Sequence, residues 1–526
     1  LAAPAPAQTG YTREFTAEAL RSHVAYLADD RLQGRDAGTP GYDMAARYVA
    51  DKFAELGLKP AAGGNWYQQV PFVEYRLAEN PGSVTIGGKT FAHGDNVVVA
   101  PSPLAGSDRL QAPAVFVGYG LDAPTQGFDD YAGLDVKGKI VVALSGAPEG
   151  TPSDVAAHLN SDKRRMASAR GAVGMITLST PESNKRYPWQ RLVGRSGEPG
   201  ITWVAPGGTP FTSAPGLAYG AYLNTPAAEA LFAGAPRSLE TVMTEAAREG
   251  GKPKGFALTQ TVAIERHTAK RNFTSPNVVA VLPGSDPALA NEYVLMMAHL
   301  DHEGVAPTGE GDRIYNGAMD NATGVATLIE TARAMAESPV KPRRPILFAA
   351  VTAEEDGLLG SQYLAKHPVV GDGRVVAVVN LDMPVLTYEF VDVIAFGAEH
   401  STLGPIVERA GAQMDVKLIE DPLPEEGLFT RSDHYRFVQE GIPSVFLMTG
   451  FGNGGEEKFR NFPATHYHKP SDEVDLPFDW NAGAKFARIN YLIAREIADA
   501  DQAPRWYSDS FFGNLYAPSA PKAPAP

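Results

Sequence analysis

Acidic and histidine side chains stand at the ends of three apolar stretches in the second half of the sequence. The stretches YVLMMAHLD, PILFAAVTAEE and VVAVVNLDM end in or close to His299, Asp301, Glu354, Glu355 and Asp382. Imidazole and carboxylate groups are common protein ligands of zinc, and a carboxylate beside a metal can act as a general base. These residue types therefore allow a metal centre with acid–base chemistry.

Two loops contain further candidate ligands. The loop IYNGAMDNATG carries Asp320 directly before a helical pattern, and THYHKPSDEVD carries His466 and His468 among turn-forming residues. The chain contains no cysteine, which excludes thiolate catalysis, Cys-ligated zinc and iron–sulfur clusters. A metal in this protein must therefore be held by His, Asp and Glu.

Each candidate also has an ordinary structural interpretation when it is considered alone. Adjacent glutamates favour the positive end of a helix dipole, and Asp320 could be a turn or cap residue. One dinuclear metal site, however, explains all the positions together. With Glu354, the carboxylates of Asp320, Glu355 and Asp382 carry four negative charges, which match two divalent cations. Without metal, these groups would repel one another.

The elements that must position these residues follow from the apolar pattern. From about residue 277, short continuous apolar runs alternate with amphipathic stretches, which predicts an α/β fold with a mainly parallel central sheet flanked by helices. Ligands in such sheets bind beyond the carboxyl ends of the strands, so the polar residues are expected to converge in one crevice. Helical periodicity predicts helices in FTAEALRSHVAYLAD, GYDMAARYVADKFAELGL, NATGVATLIETARAMAES and AKFARINYLIAREIADA.

Two other segments have a different composition. Residues 80–268 contain short β-branched runs separated by Gly and Pro, which predicts a β-rich module. The end of the chain, residues 504–526, closes in APSAPKAPAP, which predicts an extended or disordered Pro/Ala-rich tail.

Overall charge and hydropathy restrict the possible partners. The 526 residues carry a net charge of −15 and the basic residues are not clustered, which argues against nucleic acid or an anionic membrane as a partner. No apolar run approaches the roughly 18 to 20 residues of a membrane-spanning helix, so no membrane role is expected. The start LAAPAPAQTG resembles the region after a removed secretory signal and predicts a periplasmic or secreted protein, although an artificial start would look the same.

Six motifs occur in one order along the second half of the chain: AHLDH, IYNGAMDNATGVATLIE, TAEEDGLLGS, NLDM, SDHYRFVQEGIPSVF and YHKPSDEVD. Together they closely resemble the dizinc exopeptidases of clan MH, which include secreted bacterial leucine aminopeptidases, glutamate carboxypeptidases and the non-catalytic transferrin receptor. The resemblance implies two zinc ions. Asp320 would bridge them, with His299 and Asp382 on one ion and Glu355 and His468 on the other.

The resemblance also implies roles beside the metal ions. Glu354 would be the general base acting on a metal-bridging water, and Tyr467 would donate a hydrogen bond to the developing oxyanion. Asp301 resembles the acid that orients the His299 region. The implied activity is hydrolysis of the N-terminal peptide bond of peptides, by an aminopeptidase.

The resemblance suggests a domain organisation. The stretch FVGYG, followed by FDDYAGLDVKGKIVVALSGAPEG, resembles the protease-associated (PA) domain that many of these enzymes insert before the metal-binding strands. We therefore expect residues 1–79 to be the first part of the catalytic domain, 80–268 to be the insert, 269–503 to be the metallopeptidase domain and 504–526 to be the tail.

Other activities are compatible with the same motifs. A carboxypeptidase or dipeptidase would need a cation for the substrate carboxylate, and Arg431 and Lys469 lie close to motif segments. A receptor-like module would be expected to lose ligands, and none is lost here. A glutaminyl cyclase would use one zinc ion, whereas His299 and Asp382 favour two.

Overall fold

A computed structural model of the chain describes residues 15–104 and 106–526. They form two compact units, of which the first comprises residues up to Val70, 274–424 and 431–526, and the second comprises 71–273 and 425–430. None of the helices in the described residues combines the length and apolar character that crossing a bilayer requires. The segment LAAPAPAQTG, on which the expectation of an exported protein depends, lies outside the described residues.

Helices and strands alternate along most of the described chain. The helices are α1 (Ala17–Leu27), α2 (Pro40–Glu55), α3 (Ser153–Ala169), α4 (Pro181–Arg186), α5 (Trp189–Arg195), α6 (Thr225–Phe232), α7 (Leu239–Ala246), α8 (Thr323–Glu337), α9 (Leu359–Lys366), α10 (Leu403–Ala412), α11 (His434–Val438), α12 (Gly455–Thr465), α13 (Trp480–Asp499) and α14 (Phe511–Tyr516). The strands are β1 (Lys59–Pro60), β2 (Tyr67–Ile86), β3 (Lys89–Ala92), β4 (Val97–Val99), β5 (Ser107–Phe116), β6 (Asp122–Ala123), β7 (Phe128–Asp129), β8 (Ile140–Leu144), β9 (Gly174–Leu178), β10 (Gly200–Trp203), β11 (Tyr219–Leu223), β12 (Phe256–Leu282), β13 (Glu292–His299), β14 (Ile346–Val351), β15 (Arg374–Leu381), β16 (Asp392–Phe396), β17 (Lys417–Ile419) and β18 (Ser444–Thr449).

The sheet of the first unit has the strand order β17-β16-β18-β15-β13-β14-β12, with β1 paired to β12. Strand β13 is parallel to both β14 and β15, and β15 is parallel to β18. Strand β12 joins β14, and β16 joins β18, in antiparallel fashion. The predicted α/β architecture with a mainly parallel sheet is confirmed. The central strands are buried along their length, which explains their continuous apolar runs.

The helices predicted in the first unit are also confirmed. Thr16 and Thr39 cap the first turns of α1 and α2 with their side chains, and a proline starts α2 at a position where the missing N–H costs little. Helix α2 is followed by Gly57 at φ +73°, the left-handed conformation common just after a helix end. Helices α8 and α13 pack against each other and against β13 and β15, so they cover the strands that carry the candidate ligands.

The second unit differs from the predicted β-rich module because it also contains helices. Strands β5, β8, β9 and β11 are parallel neighbours, and β4 and the first part of β12 extend this sheet in antiparallel fashion. Parallel neighbours need a crossover connection, and α3 provides the one between β8 and β9. The predicted insert, residues 80–268, lies within this unit.

Residues 506–512 of the predicted tail pack on the first unit through aromatic side chains, and the extended or disordered character of APSAPKAPAP stays a prediction. Trp506 is 2% exposed and its indole Nε1 donates to the Gly441 carbonyl at 2.8 Å, while Phe512 in α14 is fully buried. The aromatic residues of RWYSDSFFGNLY bury enough apolar surface to hold the segment on the first unit, although Pro and Ala dominate the final residues.

We expect Trp506→Ala to lower the free energy of unfolding of the first unit by about 3–5 kcal/mol, because it removes a large buried side chain and leaves a cavity. Denaturant unfolding monitored by far-UV circular dichroism measures this loss. The neighbouring exposed residue provides the matched control, since Arg505→Ala should leave the unfolding midpoint unchanged. Equal midpoints for the two variants would contradict the assignment of Trp506 to the core.

Candidate metal centre

The carboxyl ends of β13, β14 and β15 lie at one edge of the sheet, because these three strands are parallel neighbours. His299, the last residue of β13, is in register with Val351, the last residue of β14. Glu354 lies three positions beyond Val351, and Asp382 directly follows β15. The strand order therefore brings to one edge residues that are far apart in sequence.

Three buried residues at this edge form a first group of candidate ligands. His299 Nε2 lies 3.2 Å from Asp320 Oδ1 and 3.2 Å from Asp382 Oδ1. The ligand atoms of these three residues lie within 4.8 Å of one another. Ser432 Oγ donates to the other oxygen of Asp382 at 2.5 Å, and Asn380 donates to that hydroxyl at 2.6 Å. This group has the composition and the spacing to hold one metal ion.

A second group forms on the other oxygen of Asp320. His468 Nε2 lies 3.3 Å from Asp320 Oδ2 and 3.0 Å from Glu355 Oε2. Among the described residues, this buried nitrogen has no partner with hydrogen-bond geometry. An imidazole nitrogen that faces two carboxylate oxygens without such a bond fits a cation between them, so Asp320 offers one oxygen to each of two candidate sites.

Hydrogen bonds from neighbouring elements hold the backbone around Asp320 in place. It lies in a single π-helical turn, residues 318–322, directly before α8. The Asp472 carboxylate accepts the N–H groups of Met319 and Asp320 at 2.9 and 3.0 Å, and Asn321 Nδ2 donates to the Leu381 carbonyl at 2.9 Å. Burial raises the pKa of Asp472 to about 7.

Asp301 holds the two glutamates in the same way. Its carboxylate oxygens accept the backbone N–H groups of Glu354 and Glu355 at 3.1 and 3.2 Å, whereas His299 Nδ1 lies 3.2 Å from the backbone carbonyl of Asp301. The structure thus differs from the sequence-based expectation, because the main chain of Asp301 orients His299 and the carboxylate orients the glutamates. Burial raises the pKa of Asp301 to about 7.

A buried guanidinium joins the two loops that carry these groups. Arg35 is 1% exposed and donates to the backbone carbonyls of Leu300, Asn316 and Gly317 at 3.0, 2.6 and 3.1 Å. Although burial lowers the pKa of Arg35 to about 10, the side chain stays charged at neutral pH. Arg35 therefore fixes the segment after β13 against the segment before Asp320.

Glu354 lies beside the candidate ligands. Its carboxylate is within 4.8 Å of the ligand atoms of His299 and Glu355. Burial, together with the like charges of Glu355 and Asp433, raises the pKa of Glu354 well above its ordinary value. A buried carboxylate next to candidate metal ligands is a candidate general base.

The loop after α12 separates the two candidate histidines. His468 reaches the cluster, whereas His466 Nδ1 lies 3.0 Å from both the carbonyl and the hydroxyl oxygen of Ser471. The ring of Tyr467 lies 3.8 Å from that of His468, and burial raises the pKa of Tyr467 above its ordinary value, so its hydroxyl remains a donor.

Residues 277–494 match the sequence profile of peptidase family M28. Over these residues the chain is similar to the M28 peptidases. A Pyrenophora teres f. teres protein named "Probable zinc metalloprotease" is 40% identical over 107 residues, which are 20% of this chain and 22% of that protein. A Mycobacterium tuberculosis protein named "Probable lipoprotein aminopeptidase" is 24% identical over 516 residues, which are 92% of this chain and 85% of that protein.

A solved structure shares the fold of this chain. The structure described as an aminopeptidase from Aneurinibacillus sp. strain AM-1 aligns with 93% of this chain and 96% of its own, with a TM-score of 0.51 and 20% identity. The first curated relatives match over less of their length, since the alignments span 22% and 23% of the two Pyrenophora proteins.

The M28 motifs contain residues of the centre that the sequence analysis did not single out. In AHLDHEG, His302 and Glu303 directly follow Asp301. The motif SDHYRF contains Ser432, and YHKPSDEVD contains Asp472. No regular spacing in the sequence distinguishes these four residues from residues on the protein surface. The structure adds four residues to the centre: His302, Glu303, Ser432 and Asp472.

We expect His468→Ala to reduce the amount of metal bound per chain, because it removes the imidazole that faces Asp320 and Glu355. His466→Ala is the matched control and should leave the metal content unchanged, since His466 bonds to Ser471 instead. Elemental analysis of dialysed protein measures both. Equal metal content in the two variants would exclude His468 as a ligand.

Proposed function

We propose that the chain is a dizinc aminopeptidase that hydrolyses the N-terminal peptide bond of peptides. The observation that carries the proposal is the position of Asp320, whose Oδ1 lies 3.2 Å from His299 and whose Oδ2 lies 3.3 Å from His468. A carboxylate with one oxygen toward each of two histidines has the arrangement of a ligand shared by two cations. The similarity of residues 277–494 to the M28 peptidases supports zinc peptidase chemistry.

The residues present fit two zinc ions. His299 and Asp382 would hold one ion, Glu355 and His468 would hold the other, and Asp320 would contact both. Histidine nitrogens and carboxylate oxygens are the ligands that catalytic zinc sites use. When bound, two such ions polarise the scissile carbonyl and make water a stronger acid.

The remaining steps depend on side chains of the chain itself. Glu354 would accept a proton from the water molecule that attacks the scissile carbonyl carbon. It would then transfer this proton to the nitrogen of the departing amine as the C–N bond breaks. The carboxylate of Glu354 lies beside the ligand atoms of His299 and Glu355, a position from which a general base can make both transfers.

Tyr467 would stabilise the negative charge that develops on the carbonyl oxygen. Its hydroxyl remains protonated because burial raises its pKa, and its ring packs against His468. A fixed donor aimed at the developing oxyanion lowers the barrier without reorganisation in the transition state.

The charge of the centre supports recognition of the amino end of the substrate. Carboxylates dominate the cluster, and the three N–H groups described for Arg35 point to backbone carbonyls. Arg431 and Lys469, the cations that a carboxypeptidase could use, are both exposed, and Lys469 donates to the Ala464 carbonyl. Two zinc ions would balance four of these carboxylates and leave Glu303, beside His468, as a further negative charge, which favours a free α-amino group over a substrate carboxylate.

The direct test compares two substrates. An aminoacyl anilide with a free amine should be hydrolysed, and its N-acetylated form should not. Preferential hydrolysis of an N-blocked dipeptide would instead support a carboxypeptidase.

We also propose an extracytoplasmic location, which the relative named as a lipoprotein aminopeptidase supports.

We expect Glu354→Gln to lower kcat by at least about 10²- to 10⁴-fold, the typical contribution of a general base, because the amide cannot accept the proton. Both metal ions should stay bound, since the substitution keeps the shape of the side chain. Steady-state kinetics and metal analysis measure the two effects. Glu457→Gln, at an exposed position of α12, is the control and should retain full activity. Full-speed turnover by Glu354→Gln would refute the role of Glu354.

A further inference from the structure

The two oxygens of Glu355 face different partners. Oε2 lies 3.0 Å from His468 Nε2, on the side of the proposed second metal ion. Oε1 lies 2.6 Å from Nδ1 of His302, whose side chain is completely buried. A neutral imidazole that donates from Nδ1 occupies this oxygen and leaves Oε2 for the ion, so Glu355 would bind through one oxygen only.

Glu303, the residue after His302, contacts His468, the other candidate ligand of the proposed second ion. Glu303 Oε1 lies 2.9 Å from His468 Nδ1, while His468 Nε2 faces Asp320 and Glu355. A carboxylate on the outer nitrogen of a ligating histidine fixes its tautomer and ring orientation and raises its basicity. Two consecutive residues therefore contact the two ligands that the second ion does not share with the first.

The position of the His302 ring is fixed by the surrounding backbone. Gly317 has φ +59°, and a Cβ atom at this position would lie 2.6 Å from His302 Cδ2, so only glycine leaves room for the ring. The backbone N–H of His302 donates to the Arg35 carbonyl at 3.3 Å. The His302 ring therefore packs directly against the loop that leads to Asp320.

We propose that His302 and Glu303 are positioning residues of the second metal ion, with His302 restricting Glu355 to one ligand oxygen and Glu303 orienting His468. This inference rests on the proposed two-metal function. The two residues follow the strand that ends in His299, a ligand of the first ion. One loop therefore supplies a ligand to one ion and the outer supports of the other.

The test measures zinc binding to the metal-free full chain by calorimetric titration. We expect His302→Leu and Glu303→Leu to bind the first zinc ion normally and the second about 10- to 100-fold more weakly, the usual effect of removing such a support. The matched rescue variants are His302→Asn, whose Nδ2 replaces the Nδ1 donor, and Glu303→Gln, whose Oε1 replaces the acceptor. Both should bind the second ion close to normally.

The outcomes separate the inference from the proposed function. A parent chain that binds fewer than two zinc ions would refute the two-metal function. Two tight ions in both leucine variants would overturn the positioning roles alone. Equal losses in His302→Asn and His302→Leu would also overturn the role of His302, because the imidazole would then itself be a ligand. The absorption spectrum of cobalt-loaded protein gives a second readout, since only the bands of the affected ion should change.

Discussion

Mutual repulsion of carboxylates at one edge of the sheet is the constraint on which the rest of this structure depends. Three acidic side chains with little exposure to solvent lie at this edge: Asp320, Glu355 and Asp382. Such a group of anions is stable only if cations and N–H donors compensate its negative charge. The chain supplies part of that compensation itself through histidines and backbone amides. Asp301 and Asp472 each accept two N–H groups, so they use their charge to hold the backbone that carries the other acids.

Left-handed backbone conformations also occur around the centre. Ala353, Met383 and His468 all have positive φ, at 52°, 33° and 52°, and each is a ligand or the neighbour of a candidate metal ligand or base. Such conformations cost free energy for residues with a side chain and persist only where surrounding contacts determine them. The hydrogen bonds of Asp301, and those of Arg35 across two loops, are contacts of this kind.

The sequence predicted most of what depends on local pattern. The strands that end in His299 and precede Asp382, and the helices α8 and α13, follow from apolar periodicity, and parallel pairing then brings the candidate ligands to one edge. It could not predict the contacts of His302 or Asp472, because these depend on where loops distant in sequence meet. The burial of Trp506 escaped prediction for a related reason, since the Pro/Ala composition of the final residues concealed its packing.

The hydrogen bond from the Met319 backbone N–H to the Asp472 carboxylate joins positions that are 153 residues apart. Closing so long a loop costs conformational entropy before the contact contributes to stability. During synthesis, the ribosome has already released the three central strands when the segment with Asp472 and His468 emerges. Asp472 and His468 are therefore synthesised after the three central strands, and the candidate metal centre can be complete only once translation has passed Asp472.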